Sequence, residues 1–107
     1  MTYTPDKWLI IRISGDDPHY KVFATWSGGY LYGDSWRMNS GITSCVKDGD
    51  CYIFHGSSGS EYKCYEGSYG SNLYGFSVLQ EYIDRSEGKI STLDEAHDWC
   101  NFDWIIK

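Results

Sequence analysis

No stretch of about eighteen consecutive apolar residues occurs in this chain, and its opening, Met1-Thr2-Tyr3-Thr4-Pro5-Asp6-Lys7, has no basic segment leading into an apolar run. These absences argue against a membrane span and a secretory leader, so the expected compartment is the cytoplasm, with no membrane partner. Basic residues are scarce, nine against fifteen acidic ones for a net charge of −6, which disfavours direct nucleic-acid binding because phosphate contacts dominate such affinity. Four cysteines (Cys45, Cys51, Cys64, Cys100) contain no Cys-x-x-Cys pair, so a zinc site has little support and free thiols are the default. Also missing are a His-Glu-x-x-His pair, a Walker loop and a dinucleotide-binding glycine pattern. His19, His55 and His97 fall on different predicted elements, and no spacing rule brings one to a nucleophile. His97 with Asp94, Asp98 and Cys100 can be drawn as a metal cluster, but an exposed histidine among solvating acids is the plainer account. The expectation is a binding protein, not an enzyme, with no catalytic residues, metal or cofactor.

What is abundant is aromatic: 18% of the 107 residues are Phe, Trp or Tyr, with ten Tyr and five Trp. Such side chains serve mixed cores and binding surfaces alike. The length suits a single domain over 1–107. Acidity concentrates at the end of the chain, where Glu81, Asp84, Glu87, Asp94, Glu95, Asp98 and Asp103 face only Arg85, Lys89 and Lys107. A solvated helical face explains this more simply than a mimic of nucleic-acid phosphates.

The run Trp8 to Ile13 is β-branched and ends at Gly15-Asp16-Asp17-Pro18, and Tyr20 to Trp26 alternates as its antiparallel partner, so the two predict a hairpin. Residues 30–41 are dense in Gly, Ser, Asn and Asp and read as a loop or a short irregular strand. Ile42 to Lys47, Cys51 to His55 and Ser60 to Tyr65 are separated by Asp48-Gly49 and Gly56-Ser57-Ser58-Gly59, which predicts a three-strand meander. Tight turns would oppose Val46 to Cys51, His55 to Ser60, Ile53 to Tyr62 and Cys51 to Cys64. The face carrying Ile42, Val46, Cys51, Ile53, Tyr62 and Cys64 would then be the core face.

Beyond a Gly/Ser/Tyr-rich link the period changes. Val78, Leu79, Tyr82 and Ile83 share a helical face, Ser77 with Gln80 forms a capping-box pattern, and Gly88 suits a stop, predicting a helix over about 77–87. Thr92-Leu93-Asp94-Glu95 opens a second over about 92–101. The apolar tail Phe102-Asp103-Trp104-Ile105-Ile106 must dock on the domain or on a second subunit, which points to a homo-oligomer. The expected class is α+β: a sheet over 7–65, an antiparallel meander of about five or six strands, followed by two short C-terminal helices.

Two segments combine polar tips with aromatics: Trp36-Arg37-Met38-Asn39-Ser40-Gly41-Ile42 and Ser57-Ser58-Gly59-Ser60-Glu61-Tyr62. Arg37 there suits a cation held out to meet a phosphate or carboxylate, with aromatic faces for a base; the plainer reading packs Trp36 and leaves Arg37 in a surface ion pair. Ser-Trp-Arg-Met-Asn-Ser-Gly-Ile followed by Ser-Gly-Ser-x-Tyr, together spanning Ser35 to Tyr62, resembles small bacteriophage counter-defence proteins such as the Thoeris anti-defence sponges. The resemblance implies a phage-encoded inhibitor of bacterial immunity, working in the host cytoplasm, that sequesters a cyclic nucleotide signal without cleaving it, in pockets shared between subunits. It implies Arg37 as phosphate ligand and Trp36 as its aromatic neighbour. It also implies a second basic ligand from Arg85, Lys89 or Lys107, and Arg85 joins Asn39, Ser58, Ser60 and Tyr62 in the expected site. The alternative is an anti-CRISPR-like inhibitor whose acidic helices occupy a nucleic-acid groove on a host defence nuclease complex.

Overall fold

The computed structural model describes residues 1–28 and 33–106; the start of the turn-rich 30–41 segment lies outside the described residues. In chain order the strands are β1 (Thr2–Tyr3), β2 (Lys7–Ile13), β3 (His19–Trp26), β4 (Ser35–Met38), β5 (Ile42–Asp48), β6 (Cys51–Gly56), β7 (Glu61–Tyr65) and β8 (Ile90–Thr92). A helix, α1 (Leu73–Arg85), precedes β8, and 3-10 turns lie at Glu66–Ser68 and Trp99–Asn101. The α+β class holds in this coarser form, mostly antiparallel sheet with one α-helix among the described residues. The strands make two sheets, not one meander: β1-β7-β6-β5 and β4-β3-β2-β8.

Strand alternation explains the layers. Along β2 and β3, Trp8, Ile10, Tyr20, Val22 and Ala24 face the first sheet, while Leu9, Ile11 and Phe23 face α1. The central strands β2 and β3 of the second sheet are therefore buried on both sides, and they read as near-continuous apolar runs instead of clean alternation. Between the sheets lies an aromatic core of Trp8, Phe54, Tyr62, Trp99 and Trp104. The first hairpin is as expected, in register from Lys7↔Thr25 to Ile13↔His19.

The meander has the expected strands in a different register. Asp48, not Val46, faces Cys51 across a two-residue turn with Gly49 at φ 59°. The next turn is one residue longer than expected, so His55 pairs with Glu61, Phe54 with Tyr62 and Tyr52 with Cys64. Such a slip exchanges faces: Phe54 and Cys45 enter the core, while Val46 is 48% exposed. Burying Phe54 is worth roughly 1.5–3 kcal/mol, and its side chain is larger than that of Ile53, which the expected β6–β7 register would have turned inward, so the core selects the longer turn between those strands. Cys51 and Cys64 are consequently not opposite one another, and all four cysteines are free.

The first helix begins four residues before its expected start. Asn72 caps it, its Oδ1 accepting from the Gly75 amide at 2.7 Å, whereas the Ser77 hydroxyl donates to the Leu73 carbonyl inside the helix. Gly75 is required despite its low helix propensity, because a Cβ there would overlap the Ser71 hydroxyl and the Thr25 methyl. The second expected helix, 92–101, is replaced by β8, a non-helical stretch and the 3-10 turn at Trp99–Asn101. Thr92 pairs with Ile11, the Leu93 amide donates to the Ile10 carbonyl at 2.9 Å, and Asp94 Oδ1 takes the Ala96 amide. Sheet pairing and this local bond capture the backbone groups a helix would have needed. The tail docks on its own domain: Trp104 is buried, its ring 5.6 Å from Tyr20 and 5.8 Å from Phe54. It no longer argues for a second subunit. No helix among the described residues is long and apolar enough to cross a membrane.

Candidate functional site

β4 is an edge strand, and its alternation sends neighbouring residues to opposite sides of the sheet. Trp36, paired with Thr25, turns toward α1. Its ring stacks on Phe23 at 5.6 Å and 18° and meets Tyr82 edge-on at 5.6 Å. With Val78, Glu81 and Arg85 these two rings line a cavity of about 270 Å³. Arg85 is thus beside Trp36, as the expected site requires, but its guanidinium is held by Glu81 at 2.7 Å.

Arg37, paired with Ala24, turns the other way, toward the open end of the space between the sheets. The first sheet meets it with β1, whose parallel pairing places Tyr3 beside Tyr62. The Arg37 guanidinium lies 4.6 Å from the centre of the Tyr3 ring, and its charge is felt at the Tyr62 hydroxyl. Tyr3 in turn rests 5.0 Å from Tyr62 and 6.5 Å from Trp26, whose indole N–H donates to the Thr4 carbonyl. Burial pushes the Tyr62 hydroxyl up to about 12, and the Arg37 charge works against that rise. Among the described residues no carboxylate lies within 4.0 Å of Arg37. The surface ion pair of the plainer reading is absent there, and the cation is oriented by aromatic faces instead.

Next along the chain, Asn39 is 3% exposed and ends β4: its Oδ1 accepts the Val22 amide at 2.9 Å, while its Nδ2 has no partner. Asn39 is therefore a structural link, not a surface ligand. Ser40 begins a hydroxyl network. Its Oγ accepts from the Ser58 amide and the Ser57 hydroxyl, both at 2.9 Å, and donates to the Ser58 hydroxyl at 3.1 Å. Ser58 and Ser60 hydroxyls are 3.2 Å apart. The two sequence segments that carried the resemblance are thus bonded to each other through serines, closing the long turn that sets the register of β6 and β7.

The expected residues divide. Arg37 and Tyr62 both adjoin Tyr3; Ser58 and Ser60 are joined to the Arg37 segment by way of Ser40; Trp36 and Arg85 share a cavity on the opposite face. Tyr3, Trp26, Ser40 and Ser57 complete the first group and were not among the expected residues. Tyr3 had no local signal, since its place depends on a parallel pairing 59 positions away, Tyr3↔Tyr62. The histidines stand apart: His19 Nδ1 meets the Asp17 carbonyl at 2.6 Å, His55 faces Glu61 at 3.6 Å, and His97 lies against Trp99 and Phe102 with Asp94 at 3.4 Å. Compared with known proteins, the chain matches no family model, no curated protein and no solved structure.

Proposed function

We propose that the protein binds and sequesters a phosphorylated aromatic ligand, a cyclic nucleotide signal, without cleaving it, and that Arg37 with Tyr3 and Tyr62 forms the anion-gripping end of that site. One observation carries this reading: Arg37 is an exposed guanidinium, aimed by two tyrosines and left without a carboxylate among the described residues. An arginine so placed offers its planar fork to two phosphate oxygens. The exposed Ser58 hydroxyl, bonded to the Arg37 segment through Ser40, adds a further polar group. A local unneutralised cation can hold an anion despite a net charge of −6. In the setting that the resemblance implies, the protein is a phage inhibitor of host immunity.

A second reading has its own observation. α1 exposes Leu73 to 86% and also exposes Phe76, and the same face carries Glu81 and Asp84. An apolar and acidic helix face suits a protein partner, such as a host nuclease complex. The two readings part when the full chain is purified from cells with active immune signalling and its bound material is released by heat. An intact cyclic nucleotide in the mass spectrum supports sequestration; a cleaved nucleotide contradicts it, and a co-purifying nuclease complex with no nucleotide moves the function to α1.

A further inference from the structure

Two of the four thiols lie on elements that pack together although 54 residues separate them in the chain. Cys45 lies on β5, an edge strand of the first sheet, within the aromatic core cluster. Cys100 is the exposed middle residue of the Trp99–Asn101 turn, and that turn packs on β5. Trp99, the residue before Cys100, shares the core cluster with Cys45, so the packing of the turn on β5 brings the two thiols to the same end of that cluster. Cys51 and Cys64 are both buried, and their strand partners are Tyr65 and Tyr52.

We propose that Cys45 and Cys100 are an oxidisable pair that closes into a disulfide under peroxide, tethering the C-terminal segment to β5. The exposed Cys100 thiolate attacks one oxygen of hydrogen peroxide; the O–O bond breaks, an S–O bond forms, and the released hydroxide takes a proton to become water. Cys100 is now a sulfenic acid, oxidised by two electrons. The Cys45 sulfur then attacks it, forming the S–S bond and breaking the S–O bond, and the hydroxide leaves with the Cys45 proton as a second water. Two thiols and one peroxide yield one disulfide and two waters. The order of attack follows from exposure: burial first, and the neighbouring Cys100 second, push the Cys45 thiol up, so Cys45 is a poor first nucleophile.

The tether spans most of the C-terminal half of the chain, and closing so long a loop restricts the unfolded state strongly. It fastens the segment that carries Trp99 and Trp104, both core residues. Oxidation should therefore raise the melting temperature by on the order of 10 °C.

Trypsin places each cysteine on its own peptide, because Arg37, Lys47, Lys63, Arg85 and Lys89 fall around them. The native full chain is treated with hydrogen peroxide, alkylated after unfolding, digested and mapped by mass. The expected result is peptide 38–47 joined to peptide 90–107 in a single chain, with Cys51 and Cys64 alkylated. Cys100→Ser should form no link and show no rise in melting temperature, and Cys45→Ser should leave Cys100 as a sulfenic acid that dimedone captures. A bond involving Cys51 or Cys64, a Cys100–Cys100 bond between chains, or four alkylated cysteines after peroxide would overturn the proposal.

Discussion

The two sides of β4 carry neighbouring residues with opposite fates. On one side Trp36 is stacked on Phe23 beneath α1, and the arginine beside it, Arg85, is neutralised by Glu81. On the other, Arg37 stands over Tyr3 with no carboxylate among the described residues. Composition is alike on both sides, an arginine among aromatic rings. What differs is whether the charge has been answered: an arginine paired with a nearby acid has little left for a ligand, whereas one oriented by neutral rings keeps its charge and its fork. The structure thus separates a packed residue from an exposed arginine with no carboxylate partner among the described residues at consecutive positions.

The largest expected effect is on the packing side. Trp36→Ala should lower stability by about 2–4 kcal/mol in chemical denaturation, since it removes a half-buried aromatic and the ring that Phe23 and Tyr82 pack on. The fraction that remains folded should bind as before; lost binding at unchanged stability would reverse the assignment of the two faces. On the other side, Tyr62→Phe removes the hydroxyl that feels the Arg37 charge but keeps the buried ring. It should cost roughly 1 kcal/mol of stability and weaken ligand binding a few-fold, both readable on one preparation by denaturation and calorimetry.

Titration gives a smaller, graded effect. Burial raises Tyr62 from 10.0 to about 12, and Tyr69 likewise to about 12. Between those values the unfolded chain releases these protons before the folded one does, so stability holds below pH 10 and falls as pH rises toward 12. Denaturation midpoints across that window should fall less steeply in Tyr62→Phe, and identical slopes would remove Tyr62 as a contributor. Smallest of all is Arg85→Ala, which breaks an exposed pair with Glu81. Its change in ligand affinity should stay below about threefold; a larger loss would bring the Trp36 cavity into the binding site.

Legibility in the sequence followed the range of the interactions. The first hairpin was readable because its alternation and its turn lie within about twenty residues. The meander strands were readable too, but their register was not: Gly56-Ser57-Ser58-Gly59 marks a turn without stating its length, and only the demand of the core for Phe54 settles it. The end of the chain misled for a different reason. Thr92-Leu93-Asp94-Glu95 is a respectable helix start, yet Ile11 offers Thr92 a strand partner, and Trp99, Phe102 and Trp104 all join one core beyond it. At the site, Trp36 and Arg37 were singled out together from adjacency, and strand alternation then parted them. Tyr3, which aims Arg37, is invisible without the sheet.

The central claim rests on Arg37, and calorimetry of the full chain against a panel of cyclic mono- and dinucleotides tests it most directly. For whichever nucleotide binds the unaltered protein, Arg37→Ala should weaken affinity by about tenfold to a hundredfold, the worth of a charge-assisted hydrogen bond of roughly 1.5–3 kcal/mol. Arg37→Lys should recover only part of that loss, because an ammonium lacks the planar fork, and neither change should lower the melting temperature by more than a few degrees. Full affinity in Arg37→Ala, or no nucleotide bound by the unaltered protein, would contradict the account.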